Sequence, residues 1–178
     1  MKFTPTKIAG AVIVDLEPRA DDRGFFARAF CVDEFKAAGI EMSCPQINIS
    51  RNTAARTLRG MHFRDFAHAE AKFVRVVRGR IFDVAVDIRP DSPTFGQSVG
   101  VELDDCQGRG FYLAKGLAHG FITLAPDTDM LYLMSEIYTP QHERGLRWND
   151  PALAIDWPET PLVISERDAT YPDFADAL

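Results

Sequence analysis

The sequence predicts an all-β protein, an antiparallel sandwich or barrel of the jelly-roll kind. Three observations favour this class. Apolar and polar residues alternate with the period of two that is typical of strands. The alternating runs are short and are separated by glycine and proline turns. Only one segment has the start and stop signals of a helix. A small barrel of this type has a mouth that can hold a ligand.

The N-terminal part of the chain predicts two strands and one helix. The run IAGAVIVDLEP is rich in β-branched residues and ends at Pro18. The run RGFFARAF alternates loosely and also predicts a strand. The segment Asp33–Gly39 begins with acidic residues and stops at a glycine, which predicts a short helix.

The central run AKFVRVVRGRIFDVAVDIRPDSPTFG predicts a β-hairpin that turns at Arg78-Gly79-Arg80. In its first strand Lys72, Val74 and Val76 fall on one face. Its second strand alternates between two sets, with Phe82, Val84, Val86 and Ile88 on one face and Asp83, Ala85 and Asp87 on the other.

Two further strands are predicted at GLAHGFITL and DMLYLMSEIY. In the second, Met130, Tyr132 and Met134 alternate with Leu131 and Leu133. The Tyr132 ring therefore shares a face with two methionines. By default such a residue is an ordinary amphipathic strand position.

The long segment from Thr139 to Pro158 looks irregular and holds both tryptophans, Trp148 and Trp157. Long structured loops in compact domains are often functional. A packing flap held down by the two indole rings is an equally good interpretation.

Composition restricts the class of protein. The 178 residues predict a single domain, 1–178, in which 46% hydrophobic residues can build a core. A net charge of −6 argues against a nucleic-acid binder, although a few arginines can still hold one nucleotide. The N-terminus has no signal peptide, and no run is long enough to span a membrane. The three cysteines, Cys31, Cys44 and Cys106, contain no Cys-x-x-Cys pair, which predicts a cytoplasmic protein without disulfides.

The stretch LRGMHF places His62 between two large apolar residues, and three interpretations of this histidine compete. It can be a hydrogen-bonded core residue, a metal ligand or a catalytic base. The metal interpretation is weak, since Arg64 stands two residues beyond and His119 is the only later histidine on a predicted strand. His68 and Glu70 lie nearby, but they belong to a polar and mobile connection. Nucleophilic catalysis is weaker still, because the sequence has no Gly-x-Ser-x-Gly and no cysteine close to a histidine.

Acid–base chemistry with anion binding is the remaining possibility. His62 has Arg59 beside it and Lys72 on the next predicted strand. An aspartate such as Asp168 can fix the tautomer of a histidine base. A tyrosine such as Tyr132 can return a proton, and a cation can hold an oxyanion.

Taken together, seven segments resemble the dTDP-4-dehydrorhamnose 3,5-epimerase family. They are DDRGFF, PQINIS, LRGMHF, KFVRVVRGRIFDVAVDIRPDSPTFG, GLAHGF, HERGLRWNDPALAIDWP and SERDA, in the family's order from about Ile8 to about Pro172. The resemblance implies a jelly-roll cupin, or double-stranded β-helix, that forms a homodimer by exchanging N-terminal strands. It also implies that no metal and no other cofactor is needed.

The resemblance also implies roles for individual residues. His62 matches the general base, Asp168 its partner, Tyr132 the general acid and Lys72 the residue beside the developing enolate. The residues that match or flank binding positions for a nucleotide-sugar substrate are Arg23, Phe26, Arg28, Gln46, Asn48, Arg59, His119, Tyr138, Glu143 and Arg167. The implied reaction converts dTDP-4-dehydro-6-deoxyglucose to dTDP-4-dehydrorhamnose.

Four positions depart from the family pattern. Arg28 replaces an acidic residue, Ile47 an aspartate, Arg64 a glutamine and Arg167 a lysine. These departures bear on the choice of sugar and on whether one or both carbons are inverted, more than on the chemistry. A metal-dependent cupin enzyme and a sugar-binding jelly roll without catalysis stay open as alternatives.

Overall fold

The computed structural model describes all residues 1–178 and is built mainly from strands. The strands are β1 (Lys2–Pro5), β2 (Ala11–Asp15), β3 (Arg19–Asp21), β4 (Gly24–Phe26), β5 (Gln46–Asn52), β6 (Leu58–Arg64), β7 (Lys72–Arg78), β8 (Arg80–Asp87), β9 (Ser98–Asp104), β10 (Gly110–Leu113), β11 (Leu117–Thr123), β12 (Thr128–Met134) and β13 (Glu143–Gly145). The helices are α1 (Val32–Ala37), α2 (Glu166–Ala169) and α3 (Phe174–Ala177), with single 3-10 turns at Phe66–His68 and Pro140–His142. None of the helices is long and apolar enough to cross a membrane.

Two antiparallel sheets make up the fold. One has six strands in the order β1-β2-β10-β7-β12-β5, and the other has five in the order β13-β6-β11-β8-β9. Strands β3 and β4 form a separate hairpin. Chain neighbours often lie in different sheets, as in a jelly roll, and the predicted all-β class is confirmed.

The predicted hairpin across Gly79 is wrong. Strand β7 pairs with β10 and β12 in the six-stranded sheet, while β8 pairs with β9 and β11 in the five-stranded sheet. The turn at Gly79 carries the chain from one sheet to the other, and its φ of +85° suits glycine. The sequence Arg78-Gly79-Arg80 predicts a tight turn, but a turn alone does not tell whether the two strands pair with each other or enter different sheets.

The central core lies between the two sheets. Val74 and Val76 of β7 meet Ile81 and Ala85 of β8 there, and Tyr132 packs against the same cluster. The predicted grouping of Val74 with Val76, and of Tyr132 with Met130, on one strand face is therefore confirmed. The other face of β8 also carries buried apolar residues, because Val84 and its neighbours pack beneath the C-terminal segment.

The C-terminal segment covers the outer face of the five-stranded sheet. Leu146 and Leu153 are buried against this face, and the indole N–H of Trp157 donates to the Trp148 carbonyl at 2.9 Å. The flap interpretation of this segment therefore holds for its later part. Its first part contributes Glu143, which reaches the cavity described below.

The predicted helix forms as α1, one residue earlier than expected, and covers the outer face of the six-stranded sheet. Phe35 is fully buried and packs edge-on against Phe73, with ring centroids 5.0 Å apart. The predicted strand RGFFARAF is shorter than expected, since only Gly24–Phe26 pairs, and it pairs with β3 alone.

Asp87 ends β8 and gives the fold a pH-dependent contribution. It accepts hydrogen bonds from Arg89, Ser92 and Thr94 at 2.6–2.8 Å. Burial works against ionisation, but these bonds outweigh it and hold the pKa of the Asp87 carboxyl well below its ordinary range. Its stabilisation is fully present above the unfolded pKa, about 3.9, and is lost as pH falls toward the folded pKa.

We expect Asp87→Asn to lower the free energy of unfolding by about 2–3 kcal/mol at pH 7, because three donors lose a charged acceptor. The difference should shrink near pH 2, where the wild-type carboxyl also begins to protonate. Urea unfolding at both pH values measures this, with Asp91→Asn as an exposed control. An equal loss at the two pH values would contradict the account.

Candidate active site

A cavity of about 390 Å³ opens between the two sheets and is large enough for a small ligand. Its walls come from β5, β6, β7, β11 and β12, and from the segments around Glu70 and Tyr138–Glu143. The residues that line it are Asn48, Ile49, Ser50, Arg59, His62, Glu70, Lys72, His119, Phe121, Tyr132, Met134, Tyr138 and Glu143.

His62 is held at the cavity wall by a buried carboxylate. Its Nε2 lies 2.8 Å from Oδ1 of Asp168, which is 5% exposed. Burial raises the pKa of the Asp168 carboxyl, but the contacts with His62, Gly60 N–H and Ser165 outweigh it, so the pKa is lowered overall. An ionised Asp168 accepts the Nε2 proton, which leaves Nδ1 of His62 as the basic nitrogen.

A β-bulge in β6 explains the glycine before His62. Arg59 pairs with Phe121, and His62 pairs with His119, so three steps along β6 match two along β11. Arg59 and His62 are three residues apart, so in a regular strand their side chains would point to opposite faces. The extra residue of the bulge lets both side chains line the cavity. A Cβ on Gly60 would lie 2.6 Å from the Gly120 Cα, so the bulge requires glycine.

His119 lies beside His62 on β11 and has a carboxylate partner of its own. Its Nε2 is 2.6 Å from Oδ1 of Asp83, which is fully buried on β8. The cavity therefore contains two imidazoles, each held by an aspartate from a different element. The second oxygen of Asp83 has no hydrogen-bond partner.

Tyr132 lies in the opposite sheet from His62. Its hydroxyl is 3.3 Å from the Ser50 hydroxyl, and its ring meets His119 edge-on with centroids 6.3 Å apart. Burial raises the pKa of the Tyr132 hydroxyl well above its ordinary value. The phenol is therefore protonated at neutral pH and is a proton donor rather than an anion.

Cations line the same cavity. The Lys72 ammonium lies 3.2 Å from Oε1 of Glu70, and the Arg59 guanidinium donates to Asn52 at 2.7 Å. Glu143 is half-buried, and burial raises the pKa of its carboxyl. This arrangement can hold negative charge that develops on a bound ligand.

The structure brings eight predicted residues to the cavity wall: His62, Lys72, Tyr132, Asn48, Arg59, His119, Tyr138 and Glu143. Asp168 lies behind His62, as its predicted partnership requires. Gln46 stands next to the cavity, where its side chain donates to Asn48 and accepts from the Tyr138 N–H.

Four other predicted residues lie away from the cavity of their own chain. Arg23 and Phe26 belong to the exposed β3–β4 hairpin, and Phe26 is 78% exposed. Arg28 forms an ion pair with Glu34, at 2.6 Å, near the N-terminus. Arg167 lies on α2 over the ring of Tyr171.

Three polar residues that line the cavity or bond to its side chains were not predicted from the sequence. Glu70 was placed in a mobile polar connection, but it is 8% exposed and bonded to Lys72. Asp83 was placed on one strand face with Ala85 and Asp87 but given no role, and this face is fully buried. The available signal was that Asp83 falls on the same strand face as Ile81 and Ala85, which places its carboxylate on an apolar face. Ser50, the hydroxyl partner of Tyr132, gave no signal.

The cavity does not offer a dication three ligands that lie together. The clusters of three His, Cys, Asp or Glu side chains lie elsewhere in the chain, and the Lys72 ammonium occupies the cavity wall. Outside the cavity Asp65, His68 and His142 lie together. The two imidazole rings there stack with centroids 3.5 Å apart, so their in-plane lone pairs run parallel instead of meeting at one ion.

Fold and cavity together define a jelly-roll protein with a candidate acid–base site, in which a carboxylate-held imidazole and a protonated phenol share one pocket with Arg59 and Lys72. A family model described as dTDP-4-dehydrorhamnose 3,5-epimerase matches residues 5–176. The chain belongs to this family of isomerases, and the predicted family and enzyme class are confirmed.

Similar proteins align with nearly the whole chain. A dTDP-4-dehydrorhamnose 3,5-epimerase from Pseudomonas aeruginosa is 43% identical, with 97% of this chain and 96% of the relative covered. A dTDP-4-dehydrorhamnose 3-epimerase from Streptomyces niveus is 41% identical, with 94% and 81% covered. A crystal structure of dTDP-6-deoxy-D-glucose-3,5-epimerase from Legionella pneumophila in complex with dTDP-4-keto-L-rhamnose has a TM-score of 0.92 and 38% identity, with 98% and 93% covered.

Proposed function

We propose that the protein epimerises dTDP-4-dehydro-6-deoxyglucose at carbons 3 and 5 to give dTDP-4-dehydrorhamnose. The observation that carries this proposal is the pair of groups facing one cavity from opposite sheets. One is His62, held by Asp168, and the other is Tyr132, whose burial keeps it protonated.

The substrate class suits an imidazole base. A ketone at carbon 4 acidifies the hydrogens on carbons 3 and 5. Nδ1 of His62 removes one of them, and the C–H electron pair moves onto the ketone oxygen as an enolate. Asp168 fixes the imidazole tautomer and stabilises the imidazolium that forms.

The enolate needs positive charge in a site with little water. Lys72 is 7% exposed and lines the cavity, so its ammonium can hold the enolate oxygen at low local dielectric. Arg59 and His119 line the same region and support the binding of the negatively charged substrate.

Inversion requires a proton from the face opposite His62. The Tyr132 hydroxyl delivers it, the enolate collapses to the ketone, and the configuration at that carbon is reversed. The phenolate then recovers a proton from solvent, and the imidazolium releases its proton. Repetition at the second carbon gives the doubly inverted product.

The nucleotide would lie at the cavity mouth. Asn48, Gln46, Glu143 and the half-exposed ring of Tyr138 stand there and offer hydrogen bonds and a surface for the pyrimidine. In this proposal Arg23, Phe26 and Arg28 serve the site of a partner subunit, and Arg167 remains a binding candidate close to Asp168.

We also propose a homodimer. Strand β5 is an edge of its sheet and exposes Ile47 and Ile49, and the β3–β4 hairpin exposes Phe25 and Phe26. Unpaired edges with apolar side chains favour association. Strands β1 and β2 pair within their own sheet, so the exchanged segment in this proposal is the β3–β4 hairpin.

Mixing two inactive variants tests the dimer. His62→Ala removes the proposed base, and Arg23→Ala removes a side chain that the β3–β4 hairpin would contribute to the partner's site. If Arg23 serves the partner's site, subunit exchange creates some intact sites, and about a quarter of wild-type activity returns at equal mixing. Sedimentation of the wild type should give a mass near twice 19.9 kDa. A fully active monomer would contradict the proposal.

The main alternative is an epimerase that inverts carbon 3 only, since the Streptomyces niveus relative carries that description. Proton NMR coupling constants of the product distinguish the two, with dTDP-, UDP- and GDP-linked 4-keto-6-deoxy sugars as substrates. We expect a doubly inverted product from the dTDP sugar. No change in any of these sugars would overturn the proposed function.

The cytoplasmic location stays a prediction. The three cysteines are free thiols, which is consistent with a reducing compartment.

A further inference from the structure

A row of three buried charges ends at the ammonium of Lys72. Arg64, Glu70 and Lys72 are 6%, 8% and 7% exposed. Glu70 stands between the two cations: its Oε2 lies 3.5 Å from Nη1 of Arg64, and its Oε1 lies 3.2 Å from Nζ of Lys72. One carboxylate is therefore shared by two cations.

Arg64 is also held by two neutral acceptors. Its guanidinium donates to the Ile137 carbonyl at 3.4 Å and to the Thr139 hydroxyl. These contacts join the end of β6 to the segment that carries Tyr138. Arg64 does not line the cavity, whereas Glu70 and Lys72 do. Any effect of Arg64 on a ligand therefore passes through other residues.

Because Arg64 and Lys72 share the Glu70 carboxylate, Arg64 affects how firmly Glu70 holds Lys72. A buried carboxylate needs compensation, and here two cations supply it. Without Arg64, Glu70 is compensated by Lys72 alone and draws the ammonium toward itself. Without Glu70, the ammonium is repelled by the nearby guanidinium. The balance between the two opposite charges of Arg64 and Glu70 therefore sets the position of Lys72.

Glu143 provides a second sign of this coupling. Its carboxyl lines the cavity close to the row, and burial raises its pKa, with Lys72 and Arg64 lowering it and Glu70 raising it. The charges of the row thus act on a group that faces the ligand space.

We propose that Arg64 is a positioning residue that acts through Glu70 to place the Lys72 ammonium at the enolate oxygen. This inference rests on the proposed function. Placement errors near 1 Å can reduce rates by about 100-fold, so a positioning residue can matter without touching substrate.

The test is a double-mutant cycle measured as kcat and KM for epimerisation. We expect Arg64→Gln to lower kcat by about 10- to 100-fold, with KM changed by less than about threefold. Glu70→Gln should have a similar effect. The double variant should recover most of the wild-type kcat, because both buried charges leave together. Arg64→Lys should also retain activity.

Arg109→Gln is the matched control, because Arg109 forms an ion pair with Asp15 at 2.8 Å outside the cavity. It should leave kcat unchanged. Thermal unfolding of every variant shows whether the protein is folded. A merely structural role predicts losses of stability without the fall and recovery of kcat.

The outcomes separate the two proposals. An active wild type whose folded Arg64→Gln variant keeps its kcat would overturn the role of Arg64 alone. A double variant no better than either single one would also overturn it. A wild type inactive on every nucleotide-linked 4-keto sugar would overturn the proposed function, and this inference with it.

Discussion

Replacing His62 should abolish turnover while leaving the fold intact. His62→Gln removes the basic nitrogen and keeps a side-chain N–H that can reach Asp168, which is 5% exposed and would be costly to leave unpaired. We expect deuterium exchange and epimerisation to fall by about 10²–10⁴-fold, the usual size of a general base's contribution. NMR in deuterated buffer measures both rates.

The matched control for this variant is His68→Gln. His68 is also bonded to an aspartate, Asp65, at 2.7 Å, but it lies outside the cavity and is exposed. It should keep wild-type activity. A folded His62→Gln protein with more than about a tenth of wild-type activity would exclude His62 as the base.

Replacing Tyr132 should separate two halves of the reaction. Tyr132→Phe removes the hydroxyl and keeps the ring that packs against the central core. His62 can still abstract and return a proton on its own face. We therefore expect deuterium exchange with retained configuration to continue, while inverted product falls by about 100-fold or more. NMR of the sugar signals reports the two rates separately.

Tyr112→Phe is the control for a lost hydroxyl. Tyr112 is 7% exposed and packs on the outer face of the six-stranded sheet, away from the cavity. Its variant should invert substrate normally. Should Tyr132→Phe invert substrate at the wild-type rate, Tyr132 is only a strand residue, and the acid must be sought elsewhere, with Tyr138 the first candidate.

Local periodicity predicted which residues share a strand face where one face differs clearly from the other. It placed Lys72 with Val74 and Val76, and Tyr132 with Met130, and the structure agrees. Strand β8 was harder, because both of its faces are buried beneath different layers. The alternation of residue types in β8 therefore cannot show which of its faces points toward the space between the two sheets.

Local sequence patterns did not predict which strands pair or which distant residues meet. The turn at Gly79 predicted a hairpin, but strands β7 and β8 belong to different sheets. His62 and Asp168 are 106 residues apart in sequence, so only the family resemblance brought them together. The bulge at Gly60 depends on its pairing with β11, which no local signal specifies.

The charge row behind Lys72 shows a third limit. Arg64 was recognised as a departure from the family pattern, and its partner Glu70 was assigned to a mobile connection. The pairing of one departure with a buried carboxylate six residues later becomes visible only when both side chains are seen to be buried.

The most direct test of the central claim is the deuterium content of carbons 3 and 5 after wild-type turnover in deuterated buffer. The substrate is dTDP-4-dehydro-6-deoxyglucose, and NMR with mass spectrometry locates the label. Proton abstraction beside the ketone predicts one solvent-derived deuteron at each inverted carbon. Inverted product that carries no deuterium, or no product at all, would contradict the account.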